Sequence, residues 1–244
     1  MKKIKRYLCI LLAVILVTGL TACGKDNPTP TVQDEPSTAH TEQVQKVRTL
    51  SLNKELVSHY EWYEDYPEML VRSEYVHVTV DEADAKAYPN MAKTLEELCV
   101  LRKNSIEDER ENLISLAKEK YFSNADSFTT QVSTYDIQVR RADSVAVSFL
   151  SDSYADYANI SNFRTLHGIN YDTQSGKELM LVDVIKDVQG IPVIVEKEIM
   201  NRMWQAEFNS ETAITDYFRN TPDDGISWTL DYNGVTVYFS EGEI

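Results

Sequence analysis

Residues 87–121, "AYPNMAKTLEELCVLRKNSIEDERENLISLAKEKY", read as one long helix, and this constrains the fold more than any other stretch. Pro89 suits its first turn, and Thr94 with Glu97 has capping-box spacing slightly inside it. Met91, Leu95, Leu98, Ile106, Leu113 and Ala117 recur at helical spacing as one apolar stripe. Residues 123–127 break the helix. Strand patterns flank it on both sides. Residues 47–57 and 70–80 precede it, and "EYVHVTV" alternates, with Tyr75, His77 and Thr79 on one face and Val76, Val78 and Val80 on the other. Strands at 128–141 and 144–154, joined at Ala142-Asp143, follow it, and "NFRTLHGINYD" (162–172) reads as a third. A turn at Thr173-Gln174-Ser175-Gly176 leads to a fourth strand in "KELMLVDVI" (177–185). A helix starts at Pro192, with Val195, Ile199, Met203 and Ala206 on one side, and a shorter one covers 211–219. In the closing "ISWTLDYNGVTVYF", Asn233-Gly234 between alternating runs signals a hairpin with a type I′ turn. Strands and helices are segregated along the chain. The expected class is α+β: antiparallel sheets with helices packed on one side.

The N-terminus has a different character. Lys2, Lys3, Lys5 and Arg6 open it, residues 7–17 are almost wholly apolar, and small residues precede Cys23. A basic head, a short apolar run and a small-residue cleavage site describe an export signal over residues 1–22. The apolar run is shorter than the roughly 20 residues that span a bilayer comfortably. Leu20-Thr21-Ala22-Cys23 resembles the bacterial lipobox. The resemblance implies a diacylglycerol on the Cys23 thiol, cleavage before it, and an extracytoplasmic protein anchored to the cell membrane. Residues 23–46 carry Pro28, Pro30 and Pro36, abundant Thr and acids, and no aromatic residue. Such a segment buries too little to offset its ordering entropy, so it reads as a disordered tether, with His40 inert within it.

The formal charge is −15, and loss of the four basic residues with the signal makes the mature chain more acidic still. This argues against nucleic acid as a partner. Of the three cysteines, Cys9 leaves with the signal, Cys23 is the lipid site and Cys99 has no mate. Stability must therefore come from a core, for which 43% hydrophobic content suffices.

"FRTLHGINYDTQSGKELMLVDVI" (163–185) resembles the central signature of the DUF3298 family, the RsiV-like C-terminal domain, and "WTLDYNGVTVYF" resembles its closing hairpin. Upstream, "AYPNMAKTLEEL" is similar to a PdaC-type (DUF4163) module. The resemblance implies a DUF4163-like module at 47–127 and a DUF3298-like domain at 128–244, in an envelope protein of a bacterium. Family members continue past the last hairpin into a further strand, whereas this chain reads "YFSEGEI" there, so residues 235–239 are expected to form an exposed edge.

Nothing in the sequence carries catalysis. The mature histidines His40, His59, His77 and His167 lack metal-ligand spacing, and there is no G-x-S-x-G, P-loop or G-x-G-x-x-G. Asp223-Asp224-Gly225 lacks the EF-hand pattern and reads as a turn. The expectation is a protein that is not an enzyme and needs no metal or cofactor. The resemblance points instead to a binding module for a cell-envelope ligand: a basic protein such as lysozyme, or peptidoglycan. The alternatives are a peptidoglycan-modifying enzyme or accessory subunit, or a sensor acting through a membrane partner. The candidate ligand surface is "HYEWYEDYPEM" (59–69), where Tyr60, Trp62, Tyr63 and Tyr66 are interleaved with acids. Two readings of it are open on sequence alone. The aromatics present a surface, or the face shared by Tyr60 and Trp62 covers the long helix.

Overall fold

The computed structural model describes residues 47–63, 69–156, 163–202, 213–222, 225–240 and 242–243. The signal segment, Cys23, the tether, Tyr66, Met203, Ala206 and Asp223-Asp224 lie outside the described residues. In chain order the elements are β1 (Leu52–Trp62), β2 (Met69–Val80), α1 (Glu82–Ala85), α2 (Pro89–Ser123), β3 (Gln131–Ala142), β4 (Ala146–Asp156), β5 (Phe163–Asp172), α3 (Leu181–Val184), α4 (Ile191–Arg202), α5 (Ala213–Asn220), β6 (Trp228–Asp231) and β7 (Gly234–Val237).

The long helix forms where its pattern predicts. Pro89 occupies the first turn of α2, where a missing N–H costs nothing. Met91, Leu95, Ile106, Leu113 and Ala117 are buried, and Leu98 is partly so. Leu113 and Ala117 meet Leu70 and Val71 at the start of β2, while Met91 and Leu95 share a core with Val78 and Val80 at its end. Thus α2 runs antiparallel to β2 along its length.

One sheet of order β1-β2-β3-β4-β5 follows from this course. The β1–β2, β3–β4 and β4–β5 pairs are antiparallel, as expected. The β2–β3 pair departs from an all-antiparallel sheet: it is parallel, from Val71 opposite Gln131 to Tyr75 opposite Tyr135. Its cause is α2, which carries the chain back along β2 so that β3 starts at the same end. The sheet therefore includes strands on both sides of the 127/128 boundary.

Two elements differ from their sequence patterns. The first strand lies at 52–62 rather than 47–57. Thr49 bridges Asp143 instead, and Leu50 donates its N–H to Ala142 at 3.0 Å. The buried Asp84 carboxylate accepts the Ser51 N–H at 2.8 Å and pairs with Arg48, fixing this corner. Residues 177–185 do not form a fourth strand. Glu178 makes an isolated bridge to Tyr171, and the chain then turns into α3, whose start is capped by Asp183 accepting the Met180 N–H at 2.8 Å. That turn buries Leu181 completely.

The helices divide between two cores. Ile169, Tyr171, Val147 and Phe149 point to the α2 side and join its core. Their neighbours Gly168, Asn170 and Ser148 point the opposite way, because side chains alternate along a strand. There they meet the β6–β7 hairpin, which in turn packs against Leu181 of α3, Val195 and Ile199 of α4 and Ile214 of α5. Coverage on both faces explains why all of residues 146–151 are buried. Within the hairpin Asp231 pairs with Gly234, so Tyr232-Asn233 forms the loop, one residue before the predicted pair. Gly234 takes φ 141°, which favours glycine. Val235 and Val237 are buried in the second core and Tyr238 is buried on the other face of the hairpin, so the apolar side chains of this segment are covered, although β7 pairs with β6 alone among the described residues.

Candidate functional site

The hairpin covers β4, β5 and the end of β3, where Arg140 donates to Asp231 at 3.0 Å and the Tyr232 hydroxyl lies against the backbone of Ala142. On the same side of β1 and β2, Val76, Val78 and Val80 are buried and Leu52 packs against the first core, while the end that carries Arg72, Glu74 and the outward residues of β1 from Leu56 to Trp62 is left open. Alternation along β1 sends Val57 and His59 toward the α2 core, where His59 stacks on Tyr75 at 6.0 Å between ring centroids. It sends Leu56, Tyr60 and Trp62 outward. These three are 64%, 50% and 57% exposed. Tyr60 and Trp62 are two residues apart on a strand, so they stand side by side at about 7 Å. The Tyr60 hydroxyl donates to Glu74 on β2 at 3.0 Å, which steadies its ring. Arg72, opposite Tyr60, is exposed beside it.

The four aromatics of the candidate stretch therefore part company. Tyr60 and Trp62 form an outward ridge and do not cover the helix. Tyr63 does, with its ring 5.8 Å from Tyr121 and 5.5 Å from Phe122 at the end of α2. Tyr66 lies outside the described residues. Leu56, which extends the ridge, lies inside the expected 47–57 strand, but ending that strand at 57 separates it from Tyr60 and Trp62. The signal that finds it is continued alternation of the outward positions 56, 60 and 62.

The electrostatics offer little to catalysis. Burial pushes the Cys99 thiol up, and it donates to the Val78 carbonyl at 3.3 Å, so it is a poor nucleophile. Burial pushes Tyr171 up to about 12, with Glu178 adding to it, and pushes Tyr217 to about 12. Tyr135 is raised by burial too, against the opposing pull of the Arg102 guanidinium 3.6 Å above its ring. His59 and His77 flank Tyr75, and His167 is exposed on β5. No cluster of three or more His, Cys, Asp or Glu suited to a metal occurs among the described residues. No helix among them is long and apolar enough to cross a membrane.

The "HGINYD" stretch has a physical explanation of its own. Gly168 lies under the backbone of Trp228; a Cβ there would sit 1.7 Å from the Trp228 carbonyl oxygen. Its N–H donates to the Ser227 hydroxyl at 2.9 Å. Asn170 donates to the Trp228 carbonyl at 2.8 Å and accepts from the Ser148 hydroxyl at 2.6 Å. The Leu230 N–H donates to both Ser148 and Asn170. Every one of these buried polar groups is engaged, so the network seats the hairpin on the sheet. The turn after β5 docks likewise on α2: the Thr94 hydroxyl donates to the Gly176 carbonyl at 2.9 Å, and Gly176 has φ 67°.

No protein-family model and no curated protein matches the chain. Among solved structures, it is similar to a member of the DUF3298 family from Bacteroides fragilis, with a TM-score of 0.51 and 10% identity over 79% of this chain and 84% of that one. A DUF3298 family protein from Pseudomonas aeruginosa matches with a TM-score of 0.46 and 15% identity, over 76% of this chain and 80% of that one. At such identity the likeness is one of fold: the chain has the α+β fold of the DUF3298 family member from Bacteroides fragilis.

Proposed function

We propose that this chain is a DUF3298-type lipoprotein, anchored outside the cytoplasm through Cys23, whose folded body binds a cell-envelope ligand without catalysing a reaction. The observation that carries the binding reading is the ridge of Leu56, Tyr60 and Trp62, exposed along β1 while Tyr63 serves the core. Side-by-side aromatic rings on a rigid strand suit two ligands of the envelope. They stack on sugar rings of peptidoglycan, and they anchor in the pockets of a protein partner. The acidic body favours a basic protein such as lysozyme and speeds its arrival at low salt.

The test is a pull-down of residues 46–244 against lysozyme and against insoluble peptidoglycan, with the Trp62→Ala variant alongside. Capture of the wild type by one of them, and loss of capture in the variant at unchanged melting temperature, supports the reading. Capture by neither, or equal capture of the variant, removes it. Incubation of the same protein with peptidoglycan, with and without Zn²⁺, is expected to release neither acetate nor muropeptides.

A further inference from the structure

The two edges of the five-stranded sheet are treated differently. The outer edge of β5 is occupied. Leu166 bonds through both its N–H and its carbonyl to the Ser240 hydroxyl, and the Gly168 N–H goes to Ser227. The Asn170 carbonyl accepts from Leu179, and the Asp172 N–H donates to Lys177. The outer edge of β1 has no such partner among the described residues, although β1 is eleven residues long. Its defences as an edge strand are few: the exposed Glu55 and a register shift between Glu61 and Trp62 at its far end. It contains no proline, and its one lysine, Lys54, reaches back across β2 to the Ile137 carbonyl and toward Asp136 instead of guarding the edge. Leu56, Tyr60 and Trp62 are exposed along it.

We propose that β1 pairs antiparallel with β1 of a second copy of this chain, about a twofold axis through Val57 that joins two five-stranded sheets into one. A twofold axis normal to the sheet keeps each face continuous, so only residues of like face can oppose one another, and the axis must pass through a residue. Val57 is the midpoint of β1, so all eleven residues find partners. On the face of Tyr60 and Trp62, Leu52, itself partly buried against the first core, opposes Trp62, Lys54 opposes Tyr60 and Leu56 opposes Ser58. On the helix face Glu55 opposes His59. That last pairing answers a feature of the single chain: the His59 Nε2 is buried with no hydrogen-bond partner among the described residues. Glu55 of the second copy supplies an acceptor across the interface. Neighbouring registers are worse. An axis through Ser58 sets Glu55 against Glu61 twice, a like-charge pairing. An axis through Leu56 leaves Glu61 and Trp62 without partners in β1. The pairing stands independently of the ligand reading above. It sets two aromatic ridges side by side on one continuous face.

Disulfide trapping in cells expressing the full chain tests the register. Opposed residues in such a pair have Cα atoms about 4.5–5.5 Å apart, within disulfide reach, whereas Ser58 is displaced from its own copy. Under mild oxidation the Val57→Cys chain is expected to form covalent dimer in at least fivefold higher yield than Ser58→Cys or the unsubstituted chain. Adding Leu56→Lys and Ser58→Lys to Val57→Cys sets lysine against lysine twice and is expected to cut the yield at least fivefold. Circular dichroism of each purified chain establishes that it is folded. Folded Val57→Cys chain that does not cross-link overturns the proposal. So does equal cross-linking at Ser58, or cross-linking that survives the lysine pair.

Discussion

Asn170 donates its side-chain N–H to the Trp228 carbonyl at 2.8 Å, tying the last strand of the sheet to a hairpin 58 residues further along the chain. The bond is buried, and the same amide oxygen accepts from Ser148 and Leu230. Asn170→Leu leaves the Trp228 carbonyl without its donor and the Ser148 hydroxyl, which still accepts from the Leu230 N–H, without its acceptor. An unsatisfied buried polar group costs about 1–3 kcal/mol, so a loss of about 3 kcal/mol is expected in urea unfolding. A loss under about 1 kcal/mol shows that the hairpin is held by packing alone.

Gly168→Ala tests the same junction sterically. Its new methyl group would meet backbone, which cannot swing aside as a side chain does. The expected destabilisation is about 3 kcal/mol, the upper part of the range for overpacking. Because the Trp228 backbone is displaced, Trp228 fluorescence is expected to shift to the red. An unchanged spectrum with an unchanged melt refutes this contact.

The aromatics of β1 separate by role. Trp62→Ala and Tyr60→Ala remove exposed rings and are expected to change stability by no more than about 0.5 kcal/mol. Tyr63→Ala removes a ring packed on Tyr121 and Phe122 and is expected to cost about 2 kcal/mol. Parallel thermal melts of the three variants check the order. A large loss in Trp62→Ala would place that ring in the core and remove it as a ligand contact.

Alkaline stability follows from the buried tyrosines. Tyr171 and Tyr217 are raised to about 12 in the folded chain from an ordinary 10. Between these values the unfolded chain has lost protons that the folded chain keeps. Stability from this source is therefore full below pH 10 and falls as pH rises through 12, by on the order of 2 kcal/mol for each ring. Urea midpoints measured from pH 8 to pH 12 trace the fall, and Tyr171→Phe is expected to flatten it. An equally steep fall in that variant assigns the effect elsewhere.

The proposed membrane attachment rests on one thiol. In cells, Cys23→Ala is expected to abolish palmitate labelling of the chain and to move it out of the membrane fraction. Undiminished labelling in the variant refutes lipidation at that position.

Local pattern by itself determined much of this protein. The stripe from Met91 to Ala117 fixes α2, because helical spacing puts those residues on one side whatever they pack against. Alternation and Asn233-Gly234 announce the closing hairpin, since turn chemistry is a property of neighbouring residues. The α+β class follows from the order of such elements. Tertiary structure decided the rest. Nothing in the strand patterns shows that β2 and β3 are parallel; that depends on where α2 lies down. Residues 177–185 have the apolar content of a strand, yet Leu181 is buried by a turn of helix, because the next core lies on the other side of the sheet. The outward ridge was half legible. Alternation says that Tyr60 and Trp62 share a face and cannot say which face. The α2 core decided that, by taking Val57 and His59, while the β6–β7 hairpin seated itself over Gly168 and Asn170, away from Tyr60 and Trp62. Covering is a relation between segments distant along the chain, and only the folded chain brings them together.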